Sequence, residues 1–188
     1  MEEQGIIEQA KQHDEQAFAE IVTMYKPYIE RLAFQFGIRP DSIPDVVQET
    51  FLNIHRSLHQ FERGKFSTWL YQITLNVVRD HYRRKKRQWK IFNKVTEDKK
   101  LWLPGYFYFE EEEHDVLHEA VKQLDEKYRI PIILFYFHDQ SYEEIAIILK
   151  IKLSSVKTRM HRGRGKLKEA YLKLERRGAA RDGRQTIG

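Results

Sequence analysis

The chain has 188 residues, a net charge of +5, 41% hydrophobic and 32% charged residues, enough for one ordinary domain or two small ones with modest cores. It has no cysteine, which excludes disulfides, thiol catalysis and cysteine–zinc sites and predicts a reducing, cytoplasmic setting. The longest apolar run, 130–137, falls well short of the roughly 20 residues of a membrane helix, so no membrane insertion is expected, and the acidic start Met1-Glu2-Glu3 has no secretory-leader pattern.

Charge is unevenly spread. The net value is −5 over residues 1–60, +8 over 61–100, −6 over 101–128 and +8 over 129–188. Two basic blocks held apart by acidic ones suggest two contacts with a polyanion.

Residues 3–36 read as helix with a break at His13-Asp14. Asp14 is the N-cap of a segment carrying Phe18, Ile21, Val22, Tyr25, Ile29, Leu32 and Phe36 at helical spacing. Pro27, inside that pattern, is a candidate kink. Gly37, Pro40 and Pro44 mark a turn, and from Pro44 a helix runs to about Leu58 with Val47, Phe51, Ile54 and Leu58 as its apolar stripe. Asp45, Gln48, Glu49 and Asn53 lie on or beside its polar face. These carboxylates have two readings: compensation of the helix dipole, or a face for a basic partner.

The stretch 61–87 combines three features. Ser67 or Thr68 offers an N-cap. Leu70, Ile73 and Val77 form an apolar stripe with Phe66 and Trp69 at its start, and Gln72, Asn76, Arg79 and Asp80 occupy the other side. The helix then runs into Tyr82 and the basic run Arg83-Arg84-Lys85-Lys86-Arg87. Rings at one end and cations at the other suit a single nucleic-acid strand, whose bases stack and whose phosphates pair with guanidinium groups. The plainer account is an amphipathic helix with a solvated basic end.

Residues 88–112 sustain no period and read as a linker. It contains the aromatic run Tyr106-Phe107-Tyr108-Phe109 and an acidic run from Glu110 to Glu113, an unusual mixture for a free spacer. Helices return with Val116, Leu117, Val121 and Leu124, then with Tyr128, Ile132, Ile133, Phe135 and Tyr136, where Pro131 predicts a kink or a late start. Ser141-Tyr142-Glu143-Glu144 is a capping box, opening a short helix with Ile145, Ala146, Ile148 and Leu149. After Lys150-Ile151-Lys152, a helix starting near Ser154-Ser155 turns Val156, Met160 and Leu167 inward and Lys157, Thr158, Arg159, His161, Arg162, Arg164, Lys166 and Lys168 outward. Short helix, tight turn and basic helix read as a helix-turn-helix whose second helix enters the major groove. A helical hairpin with a basic face is the plainer alternative. From Arg177 on there is no periodicity, predicting a disordered tail.

No phosphate loop, dinucleotide fingerprint or nucleophile elbow occurs. His114-Asp115-Val116-Leu117-His118 spaces two imidazoles as metalloproteases do, but with Asp where the base should be Glu and no third ligand. Two solvent-facing histidines are the ordinary account, so neither metal nor other cofactor is expected.

Three segments together resemble the extracytoplasmic-function sigma factors of bacterial RNA polymerase: DVVQETFLNIHRSLHQF at 45–61, FSTWLYQITLNVVRDHYRR at 66–84 and LDEKYRIPIILFYFHDQSYEEIAIILKIKLSSVKTRMHRGRGKL at 124–167. The resemblance implies an all-α fold of two small helical domains: a sigma region 2 domain at 1–88, a linker at 89–112, and a region 4 helix-turn-helix domain at 113–176, followed by a tail at 177–188. It implies a non-enzymatic factor that brings core polymerase to promoters. Asp45, Gln48, Glu49 and Asn53 would meet the clamp helices of the largest polymerase subunit, and the flap of the second largest would be a further contact. Lys65, Phe66, Trp69, Asn76, Arg79, Arg83 and Arg84 would bind the melted minus-ten element, with loop 62–66 and Asn76 capturing a flipped base, Tyr71 nearby and the arginines on phosphates. Ser155, Lys157, Thr158, Arg159, His161 and Arg162 would read the minus-thirty-five element as duplex. An anti-sigma partner is implied as well. The chain departs from the family pattern at Lys150, where Gly is usual, and at Lys152, where Ser is frequent, and Gly163 and Gly165 soften the last helix by roughly a kcal/mol each. A two-domain DNA-binding regulator that works without polymerase, and a metal enzyme at His114 and His118, are the rival readings.

Overall fold

The computed structural model describes residues 3–92 and 116–185, and all regular elements among them are helical. Eight α-helices are seen there: α1 (Glu3–Lys11), α2 (Glu15–Gln35), α3 (Ile43–Ser57), α4 (Phe66–Phe92), α5 (Val116–Lys122), α6 (Glu126–Phe137), α7 (Tyr142–Leu149) and α8 (Leu153–Gln185). The chain divides into two compact units, residues 1–108 and 109–188. The linker reading at 89–112, with its aromatic run at 106–109, falls almost wholly outside the described residues.

In the first unit α1 buries Ile6, Ile7 and Ala10 against α2. The break falls where the sequence places it. His13 takes φ 65°, and Asp14 Oδ1 accepts from the backbone N–H of Gln16 (2.9 Å) and Ala17 (3.0 Å), satisfying donors a helix start leaves open. Pro27 sits inside α2 without ending it. Gly37 ends the helix at φ 89°, with Ile38 N–H reaching Ala33 C=O (3.0 Å) and Gly37 N–H reaching Phe34 C=O (2.8 Å). This closing loop needs a left-handed residue, which glycine supplies without strain. α3 turns Val46, Val47, Thr50, Phe51 and Ile54 inward, and buried Thr50 returns its hydroxyl to Val46 C=O (2.7 Å).

α4 starts differently from the sequence expectation. Ser67 and Thr68 lie inside its first turn, so neither is the cap. Thr68 is buried, with no hydrogen-bond partner for its hydroxyl among the described residues. The start is set by tertiary packing: Gly64 turns the chain at φ 98° and Phe66 is buried against Phe61 and Trp69 at ring distances of 5.3 and 5.5 Å. Lys65 C=O then receives the N–H of Thr68 and Trp69. The buried face carries Leu70, Tyr71, Thr74, Leu75, Val77 and Val78, while Ile73 is only half-buried.

The second unit is built around α6, in which residues 128–134 are all buried. A helix apolar all round must be central, and α8 packs along it. Pro131 is accommodated within one continuous helix from Glu126, so the late start does not occur. Arg129 lies beneath α5, donating from Nη1 to Lys122 C=O (3.3 Å), a cation at a helix C-terminus. The α5 stripe is shifted from the expected one: Ala120, Val121 and the following Leu124 are buried and Leu117 is exposed.

The capping box is formed in both directions. Ser141 Oγ accepts from Glu144 N–H (3.2 Å) and Glu144 Oε2 accepts from Ser141 N–H (2.7 Å). Lys150 closes α7 in the left-handed region, φ 54° and ψ 46°. Val156, Met160 and Gly163 of α8 then face inward. α8 continues to Gln185, past Arg177, where the sequence reading ends the helix. Once a helix is nucleated, each further residue is cheap to add, and Ala179, Ala180 and Arg181 are good helix formers.

Candidate nucleic-acid interfaces

On α4 the residues left facing solvent follow from which face the unit buries. Trp69, Gln72, Asn76, Asp80 and Arg83 recur at three- and four-residue steps on the side opposite Leu70, Thr74 and Val78, as helical geometry requires. Asn76 and Arg83 are exposed, and Trp69, Arg79 and Asp80 are half-buried. At the start of this stripe five rings touch in series: Phe61–Trp69 (5.4 Å), Phe61–Phe66 (5.3 Å), Phe66–Trp69 (5.5 Å), Phe66–Tyr25 (5.2 Å) and Tyr25–Tyr28 (6.1 Å). Of the two expected stacking residues, Phe66 is 3% exposed and acts as the support beneath Trp69. Tyr71 is likewise in the core. Lys65 is exposed beside Phe66.

The basic run is divided by the packing of α4 on α3. Tyr82 hydroxyl donates to Phe36 C=O (3.0 Å) and Lys85 to Ser42 Oγ (3.3 Å). Arg84 pairs with Glu49 (2.5 Å), joining two residues the sequence assigns to different partners. Both are substantially exposed, and such a pair is weak in water, so it holds Arg84 in place without committing it. Arg83 pairs with Asp80 one turn back (3.1 Å). His81, between these groups, is lowered from the ordinary histidine pKa by burial and then by Lys85 and Arg84, with Asp45 and Glu49 opposing.

On α3, Asp45, Gln48 and Glu49 share one outward face, with Asn53 half-buried at its edge. The sequence reading leaves out Leu52, which is 47% exposed on the same face. Its spacing of four from Gln48 is the signal that could have found it. Beside it a groove of about 610 Å³ opens between α2 and α3, lined by Phe18, Val22, Val47, Phe51 and Leu52 among others.

On α8, Thr158, His161, Arg162 and Gly165 run along the face directly opposite Val156, Met160 and Gly163, and all four are exposed. Ser155, Lys157 and Arg159 flank this row, Ser155 and Arg159 being half-buried. Thr158 hydroxyl donates to Ser154 C=O (2.9 Å), leaving its lone pairs outward. Arg164 does not join the row. Its Nη2 donates to Tyr142 hydroxyl (2.9 Å), and the guanidinium lies over Phe135 and Tyr136 at 5.8 and 5.9 Å. It ties α8 to α7 and α6. Gly163 allows the close crossing: a Cβ there would stand 3.0 Å from Ile132 Cδ1 and 3.3 Å from Tyr128 Cβ.

For the metal reading, His114 and the side chain of His118 lie outside the described residues. Among the described residues no helix is long and apolar enough to cross a membrane.

Two family models match the chain, sigma-70 region 2 over residues 21–88 and sigma-70 region 4 over residues 114–167. The ECF RNA polymerase sigma factor SigW of Bacillus subtilis is 34% identical over 174 residues, spanning 87% of this chain and 93% of that protein. The ECF RNA polymerase sigma-E factor of Escherichia coli is 27% identical over 186 residues, spanning 93% and 97%. In fold, the chain is similar to CnrH in its complex with the cytosolic domain of CnrY, with a TM-score of 0.64, 26% identity and coverage of 87% and 93%. It is also similar in fold to the sigma factor RpoE of Bartonella quintana, with a TM-score of 0.65, 23% identity and coverage of 81% and 95%.

Proposed function

This chain belongs to the extracytoplasmic-function sigma factors of RNA polymerase, and from that premise we propose how its surfaces divide the work of promoter recognition. The family consists of transcription initiation factors, so bond formation belongs to the polymerase.

In this reading residues 1–88 bind core enzyme and the melted minus-ten element, 89–112 connect, and 113–176 read the minus-thirty-five element. The α3 face of Asp45, Gln48, Glu49 and Asn53, now with Leu52 at its centre, docks on the clamp helices of the largest subunit. Carboxylates give it orientation and the leucine gives it buried area. The flap of the second-largest subunit contacts the C-terminal unit. The observation that carries the reading is the α4 stripe, on which a half-exposed Trp69 stands beside Lys65 and leads through Asn76 to Arg79, Arg83 and Arg84. A flipped base needs a stacking surface and an amide that can both donate and accept, and the phosphates behind it need guanidinium groups. Phe66, buried, holds the platform. On α8, Thr158, His161 and Arg162 read base edges, with Ser155, Lys157 and Arg159 on the flanking backbone. CnrH is in complex with the cytosolic domain of CnrY, and an anti-sigma factor is proposed as a partner for this chain in the cytoplasm.

Run-off transcription with purified core polymerase tests the whole. Promoter-specific transcripts are expected only when the protein is added, and none with core alone. Asp45→Arg is expected to weaken core binding about tenfold or more while helical content by circular dichroism stays unchanged. Wild-type affinity in that variant would remove α3 from the docking surface.

A further inference from the structure

The ring series at the start of α4 does not stop on α4. From Phe66 it crosses to Tyr25 and ends on Tyr28, both on α2. Tyr25 is fixed from behind: its hydroxyl donates to the Glu3 carboxylate, and burial together with that carboxylate raises its pKa far above the ordinary value. Tyr28 is 50% exposed, the most exposed of the five rings, and Met24, one turn back, is 38% exposed. Arg31, one turn on, is also exposed. Met24, Tyr28 and Arg31 therefore form a short outward row on α2, with a thioether, a phenol ring and a guanidinium in line. An interior role does not explain a large ring left half in water. A ring beside a cation, continuous with a stacking platform, is what one further nucleotide requires.

We propose that Tyr28 is an additional base-stacking residue, holding one more nucleotide of the melted strand, with Arg31 facing its phosphate. The proposal rests on the reading of α4 as the single-strand platform. Ring continuity decides for this occupant over a protein partner: the steps from Trp69 through Phe66 and Tyr25 to Tyr28 stay between 5.2 and 6.1 Å, and the flanking cation suits a phosphate.

The test uses holoenzyme and promoter fork DNAs, upstream duplex with a single-stranded non-template tail shortened one nucleotide at a time. A 2-aminopurine replaces the terminal base. Wild type is expected to gain about tenfold in affinity at one particular tail length, the order of one stacked base, with quenching of the 2-aminopurine at that position. Tyr28→Ala is expected to lose that single step and its quenching while matching wild type on every shorter tail. Tyr28→Phe, which keeps the ring, retains both. Trp69→Ala weakens every tail length. If Tyr28→Ala gains and quenches as wild type does while Trp69→Ala is impaired, no base sits on Tyr28. If Trp69→Ala is also unimpaired, the α4 platform itself falls, and the Tyr28 site with it.

Discussion

Gly163 and Gly165 lie two residues apart on one helix and do opposite things. Both cost helix stability in principle, roughly 1 kcal/mol against alanine. Gly163 faces Ile132 and Tyr128, where a Cβ would fit only if these neighbours gave way by a few tenths of an ångström, whereas a Cβ at Gly165 meets nothing within 4 Å. Overpacking a filled crossing costs about 1–3 kcal/mol, more than the propensity gain. Gly163→Ala should therefore lower amide-exchange protection in α6 and α8, by on the order of tenfold, and Gly165→Ala should raise it a few-fold. Lys150 is the complementary case. It holds φ 54°, a left-handed conformation that costs a side-chain-bearing residue about 1 kcal/mol or more, at the position where glycine usually closes a helix. Lys150→Gly relieves this strain but also loosens the unfolded chain. The net expectation is a gain of roughly 0.5 kcal/mol, read as slower exchange of the α7 amides.

At the scale of elements, α4 is held to α3 by the groups that the sequence reads as a free basic end. His81 lies among them, facing Lys85 and Arg84 on its own helix and Asp45 and Glu49 on α3. Because burial and the two cations lower its pKa in the folded state, the unfolded chain binds the proton more tightly. Its contribution to stability is therefore full above the ordinary histidine pKa of about 6.5 and declines as pH falls below it. Chemical-denaturation midpoints of the protein should drop from about pH 8 to about pH 5, and His81→Gln should flatten part of that slope. An unchanged slope would mean that His81 keeps its ordinary titration in the fold.

At the scale of the molecule, two helical units each present a cationic face, and the charge between the basic blocks is acidic. Binding that neutralises several phosphates must weaken steeply with salt. Arg162→Ala, on the row opposite the α8 core, is expected to weaken holoenzyme binding to promoter duplex. If the side chain reads a base edge, it should also relax sequence preference at one position and leave the salt slope intact. If it only meets a phosphate, the slope falls by about one and affinity drops uniformly across sequences. Binding measured at several salt concentrations on matched and mismatched duplexes separates the two.

Local signals were readable without any structure. The caps at Asp14 and Ser141 need only residues three positions away, and the helical period of Val47, Phe51 and Ile54, or of Val156 and Met160, needs only the chain itself. The helix-turn-helix at 141–167 and the polar face of α3 follow from the same short-range rules. Tertiary packing decided what depends on a neighbour distant in sequence. It buried Phe66 and Tyr71 and left Leu52 and Tyr28 outside. It moved the start of α4 ahead of Ser67, paired Arg84 with Glu49, stacked Arg164 on Phe135, and turned Gly163 from a weak point into a contact. Periodicity states that a helix has an apolar side, but the width of that side and the fate of the residues at its edge are set by whichever element arrives to cover it.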